Sequence, residues 1–159
     1  MKEQGKYVLV IPARNERETL RHLVMVALRY ISDIIIVDDG SSDRMIETIV
    51  DLPVTIYRNS ERIGKAGSLW KGIQAGLDRN ADFVLTMDGD GQHRAEDIPA
   101  LMNLSQENPR CIVIGSRLEN VASAPKLRRL GNLVADVFLS WACGQRIVDS
   151  QSGFRAYPM

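Results

Sequence analysis

An α/β fold with a mainly parallel central sheet flanked by helices is predicted by three observations. Short apolar runs alternate with segments of helical periodicity, the runs are apolar at consecutive rather than alternate positions, and acidic or glycine-containing turns follow several of them. Consecutive apolar residues mark strands buried on both faces. Strands of that kind alternating with helices imply a sheet covered on both sides.

The elements follow in order. Tyr7 to Ile11 is the first strand, a continuous apolar run ended by Pro12. Leu20, Leu23, Val24, Ala27, Leu28 and Ile31 recur at helical spacing, and Asn15 with Glu18 three residues on resembles a capping box, which assigns Asn15 mainly to capping. The unit then repeats: strand Ile34 to Val37, helix from about Asp43 to Val50, strand Val54 to Tyr57, helix Ala66 to Leu77. Strand Phe83 to Met87, a helix near Ala95 to Leu104 and strand Cys111 to Ile114 come next. Leu69, Trp70, Ile73 and Leu77 are assigned to core packing. After Arg117 a polar stretch, Glu119 to Pro125, precedes a helical segment from about Leu127 to Cys143 and a last extended piece. No boundary divides the chain, so residues 1–159 are expected to form one domain.

Composition excludes several classes. The 159 residues carry 20 Lys plus Arg against 20 Asp plus Glu, a balance that argues against a nucleic-acid binder held by bulk charge. With 45% hydrophobic and 25% charged residues, the chain is neither disordered nor a coiled coil. Cys111 and Cys143 have no CxxC spacing and the start MKEQGKYVLV has no secretory leader, so a reducing cytoplasm is the expectation. No apolar run reaches the roughly 20 residues of a membrane span.

In open parallel sheets ligands bind beyond the carboxyl ends of the strands. Here those ends are acidic: Asp38-Asp39-Gly40-Ser41-Ser42-Asp43 and Asp88-Gly89-Asp90-Gly91-Gln92-His93. Turn formation and helix capping explain Ser41 to Asp43 as well as function does. Asp88 and Asp90 are harder to explain that way, because carboxylates two residues apart repel and persist best beside a cation. Oxygen donors suit Mg²⁺ or Mn²⁺, bound by one or two carboxylates and bridged to substrate phosphates.

Spacing excludes the lookalikes. Asp88 cannot open an EF-hand, since His93 and Pro99 stand where Gly and Glu are required. Gly64-Lys65 is not a P-loop, because Asn59 replaces its first Gly and Ala66 its Ser or Thr. Pro12 to Glu16 is not a GxGxxG turn. A receiver domain would carry its acid pair after the first strand, not the second.

Ile11-Pro12-Ala13-Arg14-Asn15-Glu16, Val37-Asp38-Asp39-Gly40-Ser41, Asp88-Gly89-Asp90-Gly91-Gln92-His93, Gly115-Ser116-Arg117 and Asp149-Ser150-Gln151-Ser152-Gly153-Phe154-Arg155 occur in that order. Together they resemble glycosyltransferase family 2, most closely its dolichol-phosphate mannosyltransferase and bacterial polyprenyl-phosphate sugar transferase branch. The resemblance implies the GT-A nucleotide-diphospho-sugar transferase fold, with a C-terminal part missing from this chain. It implies that Pro12 and Glu16 flank the nucleoside, that Asp39 accepts hydrogen bonds from base or ribose, and that Asp88, Asp90 and Gln92 hold Mg²⁺ or Mn²⁺. Arg117 and Arg128 are the expected phosphate contacts, an arginine fork matching phosphate better than a lysine point charge does. Asp88, Asp90 and Arg117 are thus the expected catalytic set, and Lys65 a weaker candidate for the diphosphate.

The implied reaction is metal-assisted, inverting transfer of a sugar, mannose or glucose, from a GDP- or UDP-linked donor. A lipid phosphate acceptor is already an anionic nucleophile, whereas a hydroxyl acceptor needs a general base. His93 reads equally as a structural hydrogen-bonder and Asp149 only as a candidate near the acceptor side, which favours polyprenyl or dolichyl phosphate. A sugar-phosphate nucleotidyltransferase and a non-catalytic nucleotide-sugar binding module are the alternatives. The apolar stretch Leu133 to Ala142, with Phe138 and Trp141, is expected to pack in the core; the rival expectation is peripheral contact with the cytoplasmic membrane face.

Overall fold

The computed structural model describes residues 5–116 and 136–159. Along the chain run β1 (Tyr7–Ala13), α1 (Leu20–Ala27), β2 (Ile34–Asp38), a 3₁₀ turn (Met45–Thr48), β3 (Thr55–Arg58), α2 (Lys65–Leu77) and β4 (Phe83–Thr86). A 3₁₀ turn (Ala95–Asp97), α3 (Ile98–Glu107), β5 (Val113–Ile114), a helix α4 whose described part covers residues 136–143, and β6 (Arg155–Pro158) follow among the described residues. Among the described residues the sheet has six strands in the order β3-β2-β1-β4-β6-β5. β3, β2, β1 and β4 are mutually parallel, and β6 runs antiparallel between β4 and β5.

β1 is buried at every position, as its unbroken apolar run requires. Tyr7, Leu9 and Ile11 face α1 and α3, packing with Leu20, Val24, Ile98 and Leu101. Val8 and Val10 face the other way, with Val37, Val84 and Ala75 of α2. The chain steps outward from β1 to β2 and β3, then crosses back to β4 on the other side of β1. The resulting crevice at the carboxyl ends of β1 and β4 is where such sheets bind ligands.

Several expectations need correction. β1 does not stop at Pro12. Val10 turns its carbonyl toward Met87 just beyond β4, so Pro12, two residues on, points its missing N–H past the end of that strand and no ladder bond is lost. The helix expected from Asp43 is only a 3₁₀ turn, preceded by Arg44 in the left-handed region (φ 60°). Asp43 does hold its start, its carboxylate accepting from the Met45 N–H at 3.0 Å. Asn15 is not a cap: α1 begins at Leu20 after Thr19, and the Asn15 carboxamide is used elsewhere.

The core assignment for α2 is also corrected. Its buried residues are Ser68, Gly72, Ala75 and Gly76, while Trp70 is 64% exposed. Leu69 and Ile73 are partly buried against the sheet, and Leu77 faces solvent. On α4, Val137, Phe138 and Trp141 are exposed, Trp141 by 78%, so the core-packing expectation fails for these residues as well. Residues 117–135 lie outside the described residues, and with them Arg117, Arg128 and the first part of the expected helix.

Candidate active site

The loops after β1 and β2 are stitched together. Asn15, in the left-handed region (φ 57°), donates its backbone N–H to Ser41 Oγ (3.0 Å) and accepts the Ser42 N–H at Oδ1 (2.9 Å). The two acids ending β2 then divide. Buried Asp38 accepts the Ser41 N–H at 2.8 Å and pairs with Arg58 Nε at 3.3 Å, holding the turn. Asp39 reaches the loop in front of α2. Its Oδ1 accepts the Ile63 N–H (2.8 Å) and Asn59 Nδ2 (3.3 Å), and its Oδ2 accepts the Gly64 N–H (3.0 Å). Burial alone would push the Asp39 pKa up; donors from Ile63, Asn59, Ser68 and Gly64 outweigh it and hold the carboxyl below its usual range.

Pro12, Ala13, Arg14, Glu16, Asp39, Asp88 and Asp90 line one cleft of about 310 Å³ with Arg62, Lys65 and Ser68. Asp88 Oδ1 pairs with Lys65 Nζ at 2.7 Å, and Asp90 Oδ1 accepts the Gln92 N–H at 3.0 Å. The structure therefore brings together Pro12, Glu16, Asp39, Asp88 and Asp90. Gln92 is exposed and does not line the cleft. His93 is buried and packs its ring against Phe154 at 5.5 Å between centroids, a structural place. Asp149 lies in a turn at φ 55°, away from the cleft lining.

Glu16 carries the electrostatic signature of the cleft. Burial raises its pKa first, and the charges of Asp90, Asp43 and Asp88 raise it further against a hydrogen bond from Thr19. A carboxyl whose pKa is raised on folding loses stability for the protein as pH rises from its ordinary value through the raised one. Glu16→Gln is therefore expected to raise the melting temperature at neutral pH without added metal. The gain should vanish near pH ~3.5, where both states are protonated; paired melting curves check this.

Surplus negative charge suits a cation. Among the described residues no group of three or more His, Cys, Asp or Glu side chains is gathered to hold a metal ion. Asp88 and Asp90 nonetheless fit the pattern in which one or two carboxylates bind Mg²⁺ or Mn²⁺ and substrate phosphates and water complete the shell.

Sequence reading missed two parts of the site. Arg62 and Ser68, together with the loop that Asp39 anchors, follow the carboxyl end of β3, which the strand-end rule covers but which carries no acidic pair to draw the eye. The other is Gly153. A Cβ built there would lie 2.2 and 2.3 Å from the two Asp88 carboxylate oxygens, so the bare backbone of this residue is a wall of the acid's seat. Nothing local marks that role, because the two residues meet only through β4 and β6.

The family model described as glycosyl transferase family 2 matches residues 8–150. The chain is 29% identical to the UDP-N-acetylglucosamine–dolichyl-phosphate N-acetylglucosaminyltransferase of Methanococcus voltae, over 94% of this chain and 68% of that protein. It is 28% identical to the undecaprenyl-phosphate mannosyltransferase of Micrococcus luteus, over 96% of this chain and 66% of that protein. Among solved structures, glucosyl-3-phosphoglycerate synthase from Mycobacterium tuberculosis, in complex with Mn²⁺, UDP-glucose and phosphoglyceric acid, superposes with a TM-score of 0.73 at 21% identity. That match covers 99% of this chain and 57% of the synthase, and shows the GT-A fold. The chain thus spans between somewhat over half and two thirds of the length of these relatives. Since the matched stretch runs from the first strand to the turn at Ser150 and carries every acid of the cleft, the chain belongs to glycosyl transferase family 2.

Proposed function

We propose that residues 1–159 form the donor-binding catalytic domain of an inverting glycosyltransferase. It moves mannose or glucose from a GDP- or UDP-linked donor to a polyprenyl or dolichyl phosphate. The observation that carries the reading is the cleft itself, in which Asp39, Glu16, Asp88 and Asp90 share one lining with Arg14, Arg62 and Lys65. Relatives that act on dolichyl and undecaprenyl phosphates support the acceptor class.

In this reading Pro12 and Glu16 flank the nucleoside, and Asp39, in the lining of the same cleft, accepts from the base or ribose. Asp88 and Asp90 face the diphosphate. These two acids would hold Mg²⁺ or Mn²⁺, which would supply Lewis-acid neutralisation of the leaving group. Gln92 belongs to that shell only if its exposed side chain turns inward. Lys65 and Arg62 bring fixed positive charge to the same oxygens, and Arg117 and Arg128, outside the described residues, are the further phosphate contacts of this reading. Charge placed in advance where it develops in the transition state is electrostatic catalysis. A phosphate acceptor attacks without a base, which suits a cleft where no histidine is poised. The exposed Phe138 and Trp141, with rings 5.9 Å apart, favour peripheral contact with a membrane surface. Among the described residues no helix is long and apolar enough to cross a membrane.

Titration with GDP-mannose, UDP-glucose and UDP-N-acetylglucosamine, with and without Mn²⁺, tests the reading. Transfer to polyprenyl phosphate in anionic vesicles is measured in parallel. Binding of one donor should depend on Mn²⁺ and fall by about tenfold or more in Asp90→Ala. Vesicle binding should fall when Phe138 and Trp141 are replaced by serine. Metal-independent binding indifferent to Asp90→Ala would overturn the metal assignment; tight donor binding with no transfer would make this a binding module.

A further inference from the structure

We propose that Asp136, on α4 and outside the cleft, is a positioning residue for the donor site. It acts by holding the turn that seats Asp88. The Asp136 carboxylate accepts two successive backbone N–H groups, Ser150 at Oδ1 (2.8 Å) and Asp149 at Oδ2 (3.3 Å). Asp149 is a non-glycine residue in the left-handed region, a conformation that persists only where the surroundings impose it. Its carbonyl accepts the Ser152 N–H at 3.0 Å and closes the turn.

The turn continues straight to the acid. Gly153 lies against the Asp88 carboxylate, so closely that a Cβ could not be accommodated, and its carbonyl accepts from Thr86 Oγ1 (2.8 Å) at the end of β4, two residues before Asp88. Arg155 braces the same turn, its Nε donating to the Ser152 carbonyl at 2.8 Å and its Nη2 to that of Ser150. The far side is tied to α4 a second time, where Ser140 Oγ accepts the Ile147 N–H at 2.8 Å. A continuous path of contacts therefore runs from α4 through Asp136, Ser150 and Gly153 to Asp88. Of its members Asp136 is the one whose side chain carries the link from the helix to the turn. Charge-assisted bonds to two adjacent N–H groups fix the orientation of the turn as well as its distance.

This role rests on the metal-assisted donor reading only for its effect on binding, and the experiment separates the two. Binding of Mn²⁺ with UDP or GDP is measured calorimetrically for Asp136→Ala and Asp136→Asn, with hydrogen exchange followed over residues 86–92 and 147–154. Asp136→Ala should weaken Mn²⁺-dependent nucleotide binding by about tenfold, the scale of a lost supporting contact. Its Mn²⁺-free nucleotide affinity should stay unchanged, since Glu16 and Asp39 are not on the path. Asp136→Asn keeps one acceptor for the Ser150 N–H and should restore most of the loss. Exchange in Asp136→Ala should quicken in both segments. Unchanged Mn²⁺-dependent binding in Asp136→Ala would overturn the proposal, as would faster exchange confined to 147–154. Should Asp90→Ala leave binding untouched, the metal reading is what fails, and exchange at 86–92 still decides the role of Asp136.

Discussion

Gly153→Ala should abolish metal-dependent donor binding and sugar transfer while leaving the fold intact. The added Cβ would fall 2.2 Å from Asp88 Oδ1, 2.3 Å from Oδ2 and 2.4 Å from Cγ. No packing tolerance absorbs that overlap. Either Asp88 swings away, breaking its pair with Lys65, or the turn at 149–154 lifts off β4 and loses the Thr86 bond. The first is the cheaper response, because a side-chain rotation costs less than remaking a braced turn. The carboxylate then leaves its place by about an ångström or more, a displacement worth on the order of 10²-fold in rate. Circular dichroism should match the parent, calorimetry should show no Mn²⁺-dependent nucleotide binding, and parental transfer would refute the assignment of Gly153 to the acid's seat.

Gly72→Ala should cost stability rather than function. A Cβ at Gly72 would lie 2.2 Å from Val10 Cγ1 and 3.2 Å from Val37 Cγ2, both fully buried side chains in the centre of the sheet. Unlike Asp88, they have no solvent to swing into, so α2 must rise off β1 and β2. Overpacking of this kind costs about 1–3 kcal/mol. For a chain of this size each kcal/mol lowers the melting temperature by about 2–4 °C. Removing the obstacle should recover part of the loss: Val10→Ala combined with Gly72→Ala should be less destabilised than the two single changes summed, the mark of direct contact. Strict additivity in thermal denaturation would show that α2 does not pack where Gly72 places it.

The strands were readable because their signal is local. Ile34 to Val37 is β-branched and wholly apolar, and it forms the fully buried β2. The acids of the cleft were readable for a related reason: Asp39, Asp88 and Asp90 directly follow strands, and parallel strands must all end on one side of the sheet. The face α2 presents was not readable. Its contact with the sheet is made by Ser68, Gly72, Ala75 and Gly76, which a count of large apolar residues passes over, and the same count misplaces Trp70 in the core. The helix after Asp43 failed differently. Arg44 takes a left-handed conformation and the 3₁₀ turn ends by Thr48, so buried Met45 fixes a turn instead of nucleating a helix. Asn15 resembles a cap in sequence, yet its side chain is claimed by Ser42 from the loop after β2.

What sequence alone determined is the α/β architecture, the family, and the set of acids that one end of the sheet presents, since each is written in short runs whose meaning does not depend on distant residues. Tertiary structure decided which groups those acids meet. Asp39 meets the loop before α2, Asp88 meets Lys65 and the backbone of Gly153, and Asp136 meets the turn that carries Gly153. These contacts join elements far apart in the chain, and they exist only once β4 and β6 lie side by side and α2 has settled on its small residues against β1.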